Sequence, residues 1–152
     1  YCSQSVYMGY SPEGSYSDAQ EVVEALVKYF GYDPALRSVK RVCCGIDEWE
    51  QMIYDELAEG RPVQYSGDTD ETGHSFVCDG YDGNGLFHIN WGWEGTDDGY
   101  FALAVLNPYN NTSAGASSSR IGFCMGQDVI IGVKPAPEGT YSQTAIPQVW
   151  LN

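Results

Sequence analysis

The stretch TGHSFVCDGYDGNGLFHINWGW, residues 72–93, holds both histidines of the chain and places Asn90 sixteen residues after His74. Apolar and polar residues alternate on either side of a centre rich in Asp, Gly and Asn, the pattern of two antiparallel strands joined by a tight turn. What faces His74 depends on the register, and three registers are open. A two-residue Asn84-Gly85 turn pairs Gly83 with Leu86 and leaves Asn90 on the face opposite His74. A Gly83-Asn84-Gly85 loop pairs Cys78 with Asn90, four positions from the histidine. A Tyr81-Asp82-Gly83 loop, with Gly83 left-handed, pairs His74 with Asn90. In this last register the two Cβ atoms lie about 4.5–5.5 Å apart, and the Asn90 amide holds one ring nitrogen while the other faces a nucleophile. Trp91 and Trp93 then shield that bond from water. In the plainer reading His74 caps a strand, Asn90 satisfies a turn, and the tryptophans fill the core.

The 152 residues suit one domain, and 43% hydrophobic with 14% aromatic residues suffice for a core. Seven Lys and Arg against 21 Asp and Glu give a formal charge of -14, which argues against nucleic acid and anionic membranes as partners. No apolar run approaches the roughly 20 residues of a membrane helix. The chain opens on Tyr1 without a signal peptide and reads as a processed or truncated piece. Cys2, Cys43, Cys44, Cys78 and Cys124 form neither a CxxC nor a Cys/His metal pattern, so no metal site is expected.

Outward from the hairpin, positions 1–16 read as a loop or strand ending in a Ser-Pro-Glu-Gly turn. Val22, Val23, Leu26, Val27 and Phe30 recur at three- and four-residue steps, predicting a helix over 18–30 that Ser17 caps and Gly31 stops. A second helix starts at a capping box of Asp47 and Glu50, with Ile46, Trp49, Ile53 and Leu57 as its apolar stripe up to Gly60. Strands are expected at 62–66, 73–80, 85–91, 99–104 and 128–133. Residues 108–122 form a small-residue loop in which Asn110 and Asn111 begin N-x-[ST] patterns, read as a polar loop without glycan. The catalytic portion is assigned to 1–135, and the Pro-rich 136–152 to a linker toward a following domain.

The run GHSFVCDGYDGNGLFHINWGWEGTDDGYFALAVLNP, preceded by WEQMIYDELAEGRPVQYSG and followed by VIIGVKP, closely resembles the C-terminal, histidine-bearing part of the streptopain family of papain-like bacterial cysteine peptidases. The resemblance covers roughly residues 5–135. It implies an α+β, papain-like fold, with two N-terminal helices followed by a twisted antiparallel sheet or half-barrel, the right-hand subdomain with part of the left. It implies His74 as catalytic base, Asn90 as the residue orienting it, and Trp91 and Gly73 lining the substrate site. It implies a secreted, virulence-type thiol protease that needs no cofactor and acts on protein or peptide substrates.

The same resemblance implies a nucleophilic cysteine in a Gly-Cys-Val-Ala-type motif, and an oxyanion-hole Gln, upstream of everything in this chain; neither motif is present. Cys78 lies four residues along the histidine's own strand, about 13 Å away and beyond general-base contact. Cys43 and Cys44 precede a helix, but Asp47, Glu48 and Glu50 favour the neutral thiol there. Cys2 and Cys124 sit in irregular segments. The nucleophile is therefore expected on an upstream segment or second chain, leaving this chain inactive alone. The alternatives are a non-catalytic, peptidase-like binding or inhibitory module and a self-contained enzyme using Cys44. His88 reads as a core or rim residue, and Asp97 and Asp98 as parts of an Asp-Gly turn.

Overall fold

The computed structural model describes residues 1–12, 14–108 and 119–140. The short helix α1 (Cys2–Ser5) leads into a hairpin of β1 (Gly9–Ser11) and β2 (Gly14–Tyr16). There follow α2 (Ala19–Phe30), β3 (Arg37–Lys40), a 3-10 turn (Arg41–Cys43) and α3 (Ile46–Ala58). The remaining strands are β4 (Val63–Asp68), β5 (Gly73–Tyr81), β6 (Phe87–Asn90), β7 (Gly99–Phe101) and β8 (Met125–Ile131). These five and β3 form one antiparallel sheet in the order β3-β8-β4-β5-β6-β7, so the α+β expectation holds. Among the described residues no helix is long and apolar enough to cross a membrane.

Helix α2 forms where the apolar period places it, and Gly31 ends it in the left-handed conformation at φ 72°. The cap is Asp18 rather than Ser17, because the Asp18 carboxylate accepts the Gln20 N–H at 2.7 Å. Helix α3 begins two residues before the expected box: its N-cap is Gly45, whose N–H reaches Glu48 at 3.3 Å. Trp49 and Ile53 of the expected stripe are buried, whereas Ile46 at the first turn is exposed.

Each face of the sheet receives one helix. Trp49 and Ile53 of α3 pack on Val63, Tyr65, Cys78, Val129 and Ile131, and the Trp49 indole N–H donates to the Tyr65 hydroxyl at 3.0 Å. On the other face, Val23 of α2 joins Leu36 and Ile130. Glu56 of α3 accepts from both Arg61 and the Gly132 N–H, tying the helix to the end of β8. The rest of the second face, beyond α2, is open.

Strand β3 went unread in the sequence because RSVK is short and pairs with β8, about ninety residues further along the chain. The small-residue loop lies outside the described residues at 109–118, Asn110 and Asn111 included, as does the proposed linker beyond residue 140. The loop's described ends are joined by Asn107, which donates to the Arg120 carbonyl at 3.2 Å.

Gly67 of β4 stands opposite His74, and a Cβ there would come within 2.3 Å of the Phe123 carbonyl oxygen. That neighbour is backbone, so it cannot swing aside. Gly67→Ala is expected to lower stability by about 1–3 kcal/mol in urea unfolding. An unchanged midpoint would contradict this close approach.

Candidate active site

The register of β5 and β6 decides the site, and it differs from the one that juxtaposes His74 and Asn90. Near the tip, Tyr81 pairs with Phe87 and Gly80 with His88, the register of the Gly83-Asn84-Gly85 loop. Asp82 fixes this choice: its Oδ1 accepts from the N–H groups of Asn84 and Leu86 at 2.7 and 3.0 Å, while Gly83 and Gly85 both take positive φ. A bulge at Asp79 then shifts the ladder by one, so Cys78 faces Ile89 and Val77 faces Asn90. His88 Nδ1 meets the Asp79 carboxylate at 2.5 Å across this bulge, which places His88 on the rim.

Asn90 therefore lies on the Val77 side of the ladder, the side away from Phe76 and Cys78, and makes no hydrogen bond to His74 among the described residues. The expected direct amide clamp does not form, and a backbone group replaces it. His74 Nε2 lies 2.9 Å from the Trp91 carbonyl oxygen. A carbonyl only accepts, so Nε2 carries the proton and Nδ1 is the basic nitrogen. Asn90 still contributes, through the peptide: its Oδ1 accepts the Gly92 N–H at 2.9 Å, on the same peptide unit whose carbonyl faces His74. Gly92 sits at φ 77°, which suits glycine and lets the chain turn there.

The ring is walled by aromatic side chains. It stacks on Trp93 with centroids 4.7 Å apart and an 18° tilt, and Trp91, Phe76 and Phe123 complete the wall. Trp91 is fully buried within this cluster, which gives it a core role, and it is not among the residues that line the groove beside His74. Gly73 adjoins the imidazole on β5, and a Cβ there would lie 2.5 Å from an Asp68 carboxylate oxygen, so only glycine fits without displacing Asp68.

His74 and Gly73 line a groove of about 1110 Å³ between the β1–β2 hairpin and the open part of the sheet, with Ser66, Asp68 and Asp128 on its floor. None of the five cysteines lines it. Cys78 is buried in the core, and burial pushes its thiol up to about 12, the opposite of an activated nucleophile. Cys44 packs against the α3 side of the core, and Cys124 lines a separate pocket with Arg41 and Trp49. Cys2 and Cys43 are exposed.

Burial among these rings holds the His74 imidazole below its ordinary value, and the Trp91 carbonyl partly opposes the shift. A depressed folded value means that the unfolded chain takes up the proton first as pH falls. The stability linked to His74 is thus present above the unfolded value of about 6.5 and is lost as pH falls through the folded value. His74 is expected to titrate below about 6.5 by NMR, and His74→Gln to flatten the acid slope of urea stability; an equal slope in both proteins would contradict a buried neutral imidazole.

Comparison with known proteins identifies the family. The model of the peptidase C10 family matches residues 1–101. The thiol protease/hemagglutinin PrtT of Porphyromonas gingivalis is 43% identical over 134 residues, which cover 88% of this chain and 15% of that protein. Streptopain of Streptococcus pyogenes is 37% identical over 131 residues, covering 86% of this chain and 32% of its own length. The structure of active interpain A cysteine protease from Prevotella intermedia superposes with a TM-score of 0.74 at 32% identity, covering 87% of this chain and 52% of that one. The chain thus spans less than a third of the length of these two curated relatives, and it belongs to the peptidase C10 family of cysteine peptidases.

Proposed function

We propose that this chain supplies the base half of a Cys–His peptidase site, completed by an upstream segment or second chain that carries the nucleophilic cysteine and the oxyanion donor. The observation that carries the reading is the His74 Nε2 to Trp91 carbonyl bond, which leaves Nδ1 as the free basic nitrogen of a residue lining a groove without any cysteine of its own. In this reading Nδ1 takes the proton of the incoming thiol, and the resulting imidazolium stabilises the thiolate. The thiolate attacks a peptide carbonyl, and the electron pair moves onto the oxygen. As the tetrahedral adduct collapses, the C–N bond breaks and Nδ1–H protonates the leaving amine. Water then gives a proton to Nδ1 while its oxygen attacks the thioester, releasing the acid and restoring the thiol. The substrates are proteins or peptides, and no step calls on a metal or organic cofactor.

The thiolate counters the depression of the His74 value that burial causes, since an adjacent negative charge favours the imidazolium. The groove is wide and lies next to the imidazole, which suits a packed segment as well as substrate.

The test mixes this chain with the cysteine-bearing segment of its own gene. Peptide hydrolysis is expected only in the mixture, and His74→Ala is expected to reduce it by about 10²–10⁴-fold. A thiol-directed inhibitor should label the added segment quickly and the cysteines of this chain slowly near neutral pH. A folded but inactive mixture would instead favour a non-catalytic binding or inhibitory module, and rapid labelling of Cys44 in the isolated chain would favour a self-contained enzyme.

A further inference from the structure

Asp98, one residue before β7, reads in the sequence as half of a turn. In the fold its Oδ1 accepts the Trp91 N–H at 2.9 Å. Gly99 pairs with Ile89, so Asp98 stands at the mouth of the β6–β7 hairpin beside Asn90. The connection that returns the chain to this contact is strained. Between β6 and β7, Gly92, Glu94, Gly95 and Asp97 all take positive φ, at 77°, 57°, 86° and 61°. Glu94 and Asp97 carry a Cβ and are disfavoured in that region, so their conformation persists only where the surroundings fix it. The contact that this route delivers is the carboxylate on Trp91.

We propose that Asp98 is a positioning residue for the imidazole of His74, its carboxylate and the Asn90 amide gripping the two peptide units on either side of Trp91. Asp98 holds the Asn90–Trp91 unit by its N–H, and Asn90 holds the Trp91–Gly92 unit by the Gly92 N–H. Between these anchors the Trp91 carbonyl has a fixed seat against Nε2. The Trp91 indole lies in the core beside these anchors. Without the carboxylate, the peptide rotates and the carbonyl leaves the ring, so the imidazole loses both its direction and its tautomer.

Four rings face His74 and carry no charge; the charged groups near it are Asp68 of β4, beside Gly73, and Asp18 and Asp128, which line the same groove. All three stay constant when Asp98 is varied, and Asp98→Glu also keeps the charge at position 98, so a change in His74 in that variant reports on the Trp91 contact.

The catalytic consequence rests on the peptidase reading, but the positional claim is measured without turnover. Three variants separate the causes: Asp98→Asn keeps the acceptor without the charge, Asp98→Glu keeps the charge but displaces the acceptor, and Asp98→Ala removes both. His74 is followed by NMR titration and the Trp91 N–H by hydrogen exchange, each in the folded chain. Asp98→Ala and Asp98→Glu should lower the His74 midpoint and speed Trp91 exchange, with Asp98→Asn close to the parent. In the completed peptidase the same two should lose between about 10- and 100-fold in kcat with a smaller change in KM. If Asp98→Ala does not fold, the Asn and Glu variants decide between them. An unchanged His74 midpoint in Asp98→Glu, or equal shifts in Asp98→Asn and Asp98→Glu, would overturn the proposal. A shifted midpoint with no hydrolysis in any mixture would uphold the positioning claim and count against the peptidase reading instead.

Discussion

One hydrogen bond organises the site: His74 Nε2 to the carbonyl of Trp91. A backbone acceptor cannot change rotamer, so the imidazole is oriented by the fold itself. The bond sits beside buried aromatic rings, where a hydrogen bond is electrostatically stronger than in solvent. Its geometry depends on the path of residues 90–98, which is in turn set by the bulge at Asp79 and by the short β7 strand. Moving either would carry the carbonyl away from the ring.

The same environment works against the base. Burial among Phe76, Trp91, Trp93 and Phe123 depresses the charged form of His74, while the carbonyl restores part of it. A neutral imidazole with a proton fixed on Nε2 is ready to accept a second one on Nδ1. In the proposed peptidase site, a thiolate beside the ring would favour the charged form that burial disfavours.

The elements with a strong period were legible in the sequence. Helix α2 follows from Val22, Val23 and Leu26 and from the Gly31 stop, and β5 from the alternation around Phe76 and Cys78. The family was legible from the same hairpin, because the run from GHSFVCDG to NWGW is where the chain most closely resembles the streptopain family. The orientation of the imidazole was not. Direct pairing of His74 with Asn90 required a uniform ladder, but Asp79 bulges out to meet His88, and Asp82 selects a different loop by accepting two N–H groups. Both choices are made by side chains reaching across the hairpin, which period and spacing do not record. The acceptor for Nε2 is a carbonyl, and every residue has one; nothing in the letters distinguishes that of Trp91. Asp98 looked like ordinary turn chemistry for the same reason, since its partner is a backbone N–H.

The account is tested most directly by the protonation of the two His74 ring nitrogens, read from long-range ¹H–¹⁵N correlations in the folded chain at a pH above its titration. It requires the proton on Nε2 and a bare, pyridine-like Nδ1. A spectrum with Nδ1 protonated, or with the two tautomers in free exchange as in an unconstrained imidazole, would contradict it.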